Sequence, residues 1–287
     1  MCSRLHWAVL ARDQVLETWD SSHLGQIAGV EVSRAPYQAP CISRRTSILT
    51  PRKIDQIETD GRAASACGNK ASGCLRLDPG RFRIASVVPK ELALWLRRCP
   101  GVQPIVSQDV LTGVEDYATL GVDRALAVRG AARVSGWPVV VVDCGTALTF
   151  TAGDKDGRLV GGAILPGVRL QLAALGARTA QLPSDVRLPQ RLPPRWAMNT
   201  SGGIQAGVMW TIVAGIQSFI NDRWKVEPDA TVVFTGGDGQ VLHKAVLDSW
   251  EGEEPARERA RDRLKHIEEV IHWGIASLAF GGVEPPG

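Results

Sequence analysis

The chain is 287 residues long, 44% apolar and 22% charged, with a formal net charge of +3. These proportions exclude a chain disordered end to end, and a charge so near neutral gives no footing for a nucleic-acid binder. Six cysteines without a C-x-x-C pair, no run of about 18 consecutive apolar residues and no secretory signal predict a cytoplasmic chain with free thiols and no membrane partner.

Taken in chain order, residues 4–10 read as a strand. Residues 34–83 differ in texture: ten Lys or Arg stand against four acids, amid Ser, Ala, Gly and Pro, with no sustained period. Few aliphatic anchors are present to offset ordering entropy, so an irregular or disordered insertion is expected there, with a basic interaction surface as the competing reading. Residues 84–88 read as a short buried strand and 89–98 as a helix with Pro in its first turn. Residues 123–135 are Ala-rich and suit a closely packed helix. The run 139–142, four valines, fits a strand buried on both faces. A hairpin follows, pairing 148–151 with 158–164 about a turn at 154–157. Residues 170–175 read as helix, 184–196 as a proline-rich loop, 203–224 as a long apolar helix, 231–234 as a buried strand and 256–280 as mostly helix. Intermixed strands and helices place the chain in the α/β class.

The strongest local feature is V-V-V-V-D-C-G-T-A-L-T at 139–149. A buried strand delivers Asp143 at its end, Gly145 admits a ligand close to the backbone, and Thr146 and Thr149 add hydroxyls. A carboxylate, open amides and a hydroxyl in one turn suit a phosphate with its cation. The plainer reading is a tight turn whose Asp only caps the backbone. A second glycine-rich turn, T-G-G-D-G at 235–239, follows another buried strand. No G-x-x-x-x-G-K-S/T and no G-x-G-x-x-G after a strand is present, which argues against a P-loop and against a dinucleotide site. Two further elements are G-V-D-R-A-L-A at 121–127, with Asp123 near the positive end of a helix, and G-G-A-I-L-P-G at 161–167, trailed by T-A-Q-L-P at 179–183. His266 and His272 lie six apart, off the spacing of a helical metal pair, and read as packing or surface residues.

In this order the four motifs resemble those of the type III pantothenate kinases, members of the acetate/sugar kinase, Hsp70 and actin superfamily. The resemblance covers roughly residues 82–280 and part of the first eight. It implies a duplicated ribonuclease-H-like (actin-like ATPase) fold with a truncated first strand, split into halves at 1–135 and 136–287. It implies ATP-dependent phosphorylation of pantothenate, the first step towards coenzyme A, by a homodimer using Mg2+ and a monovalent cation, K+ or NH4+.

By that similarity Asp123 is the proton acceptor for the pantothenate hydroxyl. Tyr117, Gly121, Val122 and Arg124 hold the substrate, and Thr179 reaches it at the dimer interface. Asp143 binds the monovalent cation, Thr146 touches ATP, and Gly236 and Gly237 lie near the adenosine. An aspartate is a weak base at neutral pH, so Asp123 is expected mainly to orient the hydroxyl and to take its proton late.

The family opens with a first phosphate loop, D-x-G-N-T/S-R, whereas this chain begins M-C-S-R-L-H-W-A. Ser3 and Arg4 align with the end of that loop and would contact ATP, while its Asp has no counterpart. A coding start further upstream and a catalytically weakened kinase-like binding protein are the two readings of this departure.

Overall fold

The structure, a computed structural model, describes residues 5–11, 14–21, 31–32, 76–77, 83–87, 89–98, 103–179, 181–250 and 254–279. Ser3, Arg4 and most of the 34–83 segment lie outside the described residues. Two compact units divide the chain, one made of Leu10–Leu16 and the residues from Ser107 onward, the other of Cys2–Val9 and Glu17–Val106.

In the N-terminal part, β1 (Leu5–Ala11) pairs with β2 (Gln14–Ser21), so the strand expected at 4–10 is present. Two short parallel pairs follow: β3 (Glu31–Val32) with β4 (Arg76–Leu77), and β5 (Arg83–Ile84) with β6 (Gln103–Pro104). Between the last two runs α1 (Pro89–Arg98), with proline preset at its first position. The strand expected over 84–88 therefore stops at Ile84, and Ala85, Ser86 and Val87 have no regular structure.

The unit from Ser107 onward carries α2 (Val122–Ser135), β7 (Val139–Cys144), β8 (Ala147–Gly153), β9 (Leu159–Pro166), α3 (Val168–Arg178) and α4 (Thr200–Val226). It continues through β10 (Thr231–Thr235), α5 (Gly239–Asp248), α6 (Glu254–Arg263), β11 (Leu264–His266) and α7 (Val270–Ala279). Five strands form one mixed sheet in the order β11-β10-β7-β8-β9. The meander β7–β8–β9 is antiparallel, while β10 and β11 add in parallel beside β7. An antiparallel meander extended by parallel strands, with helices on both faces, is an α/β arrangement, as expected.

Side chains alternate across each strand, and that alternation sorts the helices. Val140, Val142, Cys144, Phe150, Val232 and Phe234 face the side covered by α4 and α5, where Met209, Ile212, Ile216, Ile220 and Leu242 complete a core. Phe150 stacks on Phe219 of α4 with ring centroids 4.2 Å apart. By length and composition α4 could cross a membrane, yet its inner stripe lies in this core. Its start is capped by Asn199, whose side chain accepts the Gly202 N–H at 2.8 Å.

The opposite face, with Val139, Val141 and Val233, is covered by α2, against which α7 packs. These two helices meet backbone to backbone. A Cβ at Gly130 would overlap the Val270 carbonyl, and one at Gly274 would overlap the Leu126 carbonyl. The alanine and glycine content of α2 permits this approach, and the close packing expected from its composition is present.

Two further elements, in the unit from Ser107 onward, depart from expectation. The stretch 256–280 is not one helix: α6 and α7 are separated by β11, which places His266 on a strand and His272 on a helix. Leu264-Lys265-His266 has no strand propensity of its own, and pairing with the buried β10 imposes the extended form. The helix α5 has no counterpart among the expected elements. It starts on glycine directly after a glycine turn, and its buried stripe of Leu242, Ala245 and Val246 is short.

The contact between α2 and α7 predicts an asymmetry between glycines. Gly130→Val should lower unfolding free energy by about 3 kcal/mol or more, because backbone cannot move aside. Gly203→Ala, with nothing within 4 Å of the added carbon, should change it by less than about 1 kcal/mol and in the stabilising direction. Denaturant unfolding of the two variants checks both signs.

Candidate active site

The buried strand β7 ends in a half-buried Asp143, and its C-terminus is where three turns gather. The first is its own turn at 144–146, in which the Gly145 N–H donates to the Ala147 carbonyl at 3.1 Å. The second follows β9: the Gly167 N–H donates to the Thr146 carbonyl at 2.8 Å. A Cβ on Gly167 would overlap the Gly145 and Thr146 carbonyls. The third follows β10, which runs parallel to β7 with Thr235 opposite Asp143. There the Asp238 N–H donates to the Cys144 carbonyl at 2.9 Å. Gly236 has φ +83°, and a Cβ on it would overlap Asp143 Oδ1 and the Cys144 backbone. Glycine is required at 236 twice over, by conformation and by proximity.

Across these turns Arg169, at the start of α3, donates from Nε to Asp238 Oδ1 at 2.8 Å. Cys144 lies beneath them. Burial first, and then the charges of Asp143 and Asp238, push its thiol well above the ordinary range. Its Sγ–H donates to the Val142 carbonyl at 3.5 Å. A neutral, buried thiol is packing, not a nucleophile.

The second cluster surrounds the N-terminus of α2. Gly121 is the N-cap with extended backbone, and Asp123, half-buried in the first turn, accepts the Arg124 N–H at 2.8 Å. The guanidinium of Arg124 is buried and distributed over three partners. Nε donates to Thr151 Oγ1 at 3.0 Å, Nη2 to the Phe150 carbonyl at 2.9 Å and Nη1 to the Tyr117 hydroxyl at 3.1 Å. It also lies 5.6 Å from the centre of the Tyr117 ring. A Cβ on Gly162 of β9 would overlap both this guanidinium and the Phe150 carbonyl, so the glycine makes room for the arginine.

Register relates the two clusters. Thr151 pairs with Val141 and Thr149 with Asp143, so all four side chains share the face on which α2 lies. A Cβ on Gly153 would meet Val128 of α2. From Arg124 beside Thr151 to Val128 beside Gly153, α2 thus runs along β8 in the same direction. Its first turn, with Asp123, points to the end of the sheet where Thr149 pairs with Asp143. Both acids singled out in the sequence therefore occupy one face and one end of the sheet.

The remaining expected residues divide. Val122 is buried, while Thr146, Gly236 and Gly237 are exposed at the gathered turns. Thr179 is exposed at the end of α3, and its hydroxyl donates to the Leu175 carbonyl at 2.6 Å, within its own helix. Three residues join the site to which the sequence analysis gives no individual role: Gly167 and Asp238, each within a quoted motif, and Arg169, outside all four. Asp238 has a visible signal as an acid next to a glycine pair at a helix start, whereas Arg169 has no local signal, because its partner lies 69 residues away. Among the described residues no group of three or more His, Cys, Asp or Glu is arranged to hold a metal ion.

The family model for type III pantothenate kinases matches residues 45–222 of the chain. A type III pantothenate kinase of Nostoc sp. is 35% identical over 280 residues, covering 97% of this chain and 92% of that protein. One from Synechococcus elongatus is 37% identical over 246 residues, covering 86% and 85%. One from Synechocystis sp. is 45% identical over 161 residues, covering 56% and 62%.

The turn geometry separates two adjacent glycines. Gly236→Ala should destabilise the protein by about 2–4 kcal/mol through strain and overlap. Gly237→Ala, with open space at its Cβ, should stay within about 1 kcal/mol of the parent. Equal losses in chemical denaturation would contradict the placement of the turn.

Proposed function

Since the chain belongs to the type III pantothenate kinases, we propose that it transfers the γ-phosphoryl group of ATP to the hydroxyl of pantothenate at the sheet end shared by Asp123 and Asp143. The observation that carries this placement is their common face and end, fixed by the β7–β8 register and by the direction of α2. The product is 4'-phosphopantothenate, and the reaction is the first step of coenzyme A synthesis, assigned to the cytoplasm.

Phosphoryl transfer passes through a loose transition state, so alignment and charge neutralisation dominate. Asp123 orients the pantothenate hydroxyl and accepts its proton as the new O–P bond forms and the bond to the β,γ-bridging oxygen breaks. Arg124, fixed by Thr151, Phe150 and Tyr117, places positive charge beside Asp123, complementary to the substrate carboxylate. Tyr117 and the backbone at Gly121 and Val122 border the same space. Thr146 offers its exposed hydroxyl to the phosphates, and Gly236 and Gly237 present bare backbone to the adenosine.

Asp143 and the Thr146 hydroxyl are hard oxygen donors of the kind taken by Mg2+ arriving with a nucleotide or by K+ or NH4+, so the residues fit such a cation without a closed protein cage. When bound, the cation offsets charge developing on the phosphoryl oxygens.

A homodimer is part of the same reading. Val160 and Ile164 on the edge strand β9, with Leu170 and Leu175 on α3, are exposed apolar residues. A second copy covering them would bring Thr179, at the end of α3, towards the partner's pantothenate. Sedimentation equilibrium at the single-chain mass of 30.9 kDa would remove this part.

Purified protein given ATP, Mg2+, K+ and pantothenate should form phosphopantothenate, detected as the added phosphate mass. Asp123→Asn should lower kcat by about 10²–10⁴, the usual share of a proton-transfer group. A loss below about tenfold would remove Asp123 from the base role. Nucleotide binding without product would show a binding protein instead of a kinase.

A further inference from the structure

We propose that Arg169 is a positioning residue for the nucleotide: its ion pair with Asp238 holds the 236–239 turn against the end of β7. The proposal rests on the kinase reading above and adds to it a residue outside the four motif roles.

The pair is lopsided. The Asp238 side chain is 5% exposed and the Arg169 side chain 66% exposed. A symmetric surface pair contributes little, but a buried carboxylate stripped of its cation is strongly unfavourable. Here a second carboxylate lies close by, since the Asp238 N–H donates to the carbonyl of Cys144, the residue after Asp143, and a Cβ on Gly236 would overlap Asp143 Oδ1. Among the residues of the three gathered turns, 143–149, 161–169 and 235–239, Arg169 is the only basic one.

Three bonds close these turns into a ring: Gly167 N–H to the Thr146 carbonyl, Asp238 N–H to the Cys144 carbonyl, and Arg169 Nε–H to Asp238 Oδ1. The first two are backbone bonds that no side-chain change removes. The third is the adjustable one. Without it, repulsion between Asp143 and Asp238 acts on the exposed Gly236–Gly237 segment, and relief lies in moving that segment off Asp143. The Tyr117–Asp123–Arg124 cluster shares no bond with Arg169. The damage therefore falls on the nucleotide and spares pantothenate.

The test uses the full chain in three forms: the parent, Arg169→Ala and Arg169→Lys. Stripping the buried Asp238 of its cation costs stability, so the thermal midpoint is used to verify that each variant is folded at the assay temperature. MgATP affinity is measured by calorimetry and both substrates by steady-state kinetics. In Arg169→Ala the Kd and KM for ATP should rise roughly tenfold, with kcat and the pantothenate KM within about twofold, the pattern of lost nucleotide binding alone. Arg169→Lys should recover most of that loss, since a cation without the planar fork still neutralises the carboxylate. ATP affinity within about twofold of the parent, equal losses for both substrates, or a Lys variant no better than Ala would each overturn the proposal. A parent that binds MgATP yet forms no phosphopantothenate defeats the kinase reading and leaves the calorimetry to decide on Arg169. A parent that does not bind MgATP overturns both.

Discussion

The parallel pairing of β10 with β7 is the constraint from which the site follows. It sets Thr235 opposite Asp143, so the turn after β10 and the turn after β7 must emerge side by side. Both strands are buried along nearly their whole length, which fixes the register: a slip by one residue would turn every valine to the wrong face. The carboxylate of Asp143 is thus aimed by the core beneath it and not by its own loop. Ligand sites in open parallel sheets form where strand ends and their turns diverge, and here β7 is the strand at which antiparallel pairing on one side changes to parallel pairing on the other.

Close approach is the second organising fact. Gly130 and Gly274 let two helices touch, Gly162 admits the Arg124 guanidinium across the sheet, and Gly167 and Gly236 bring neighbouring turns into contact with the end of β7. Each removes a side chain where backbone or charge must sit. Arg124 is the reciprocal case: a long cation buried on the sheet, its donors spread over a hydroxyl, a carbonyl and a phenol. It ties the first turn of α2, and so Asp123, to β8. The two acids are therefore related through β8, by one hydrogen-bonded residue and one strand pairing.

Much of this arrangement is legible in short stretches of sequence. The four valines of 139–142 read as a strand buried on both faces because nothing polar interrupts them, and the turn residues of 154–157 mark the hairpin. The alanine-rich α2 and the proline-led α1 announce themselves through composition and an N1 proline. What is not legible depends on partners far along the chain. The strand β11 is extended because β10 offers an edge, and no propensity within three residues can say so. Arg169 looks like any surface arginine until Asp238 is folded beside it. The motif residues Asp123, Asp143, Gly236 and Gly237 are identifiable because each sits at a strand or helix end, where backbone geometry leaves a short-range signature.

In the proposed reaction the acceptor alcohol and the transferred phosphoryl group meet at the sheet end where Asp123 and Asp143 share a face. A crystal structure of the protein with pantothenate and a non-hydrolysable ATP analogue tests it most directly. The pantothenate hydroxyl should lie at about 3 Å from the Asp123 carboxylate, with the phosphates against residues 143–146 and the adenosine against 236–237. A nucleotide seated away from those turns, or a hydroxyl out of hydrogen-bond reach of Asp123, would contradict it.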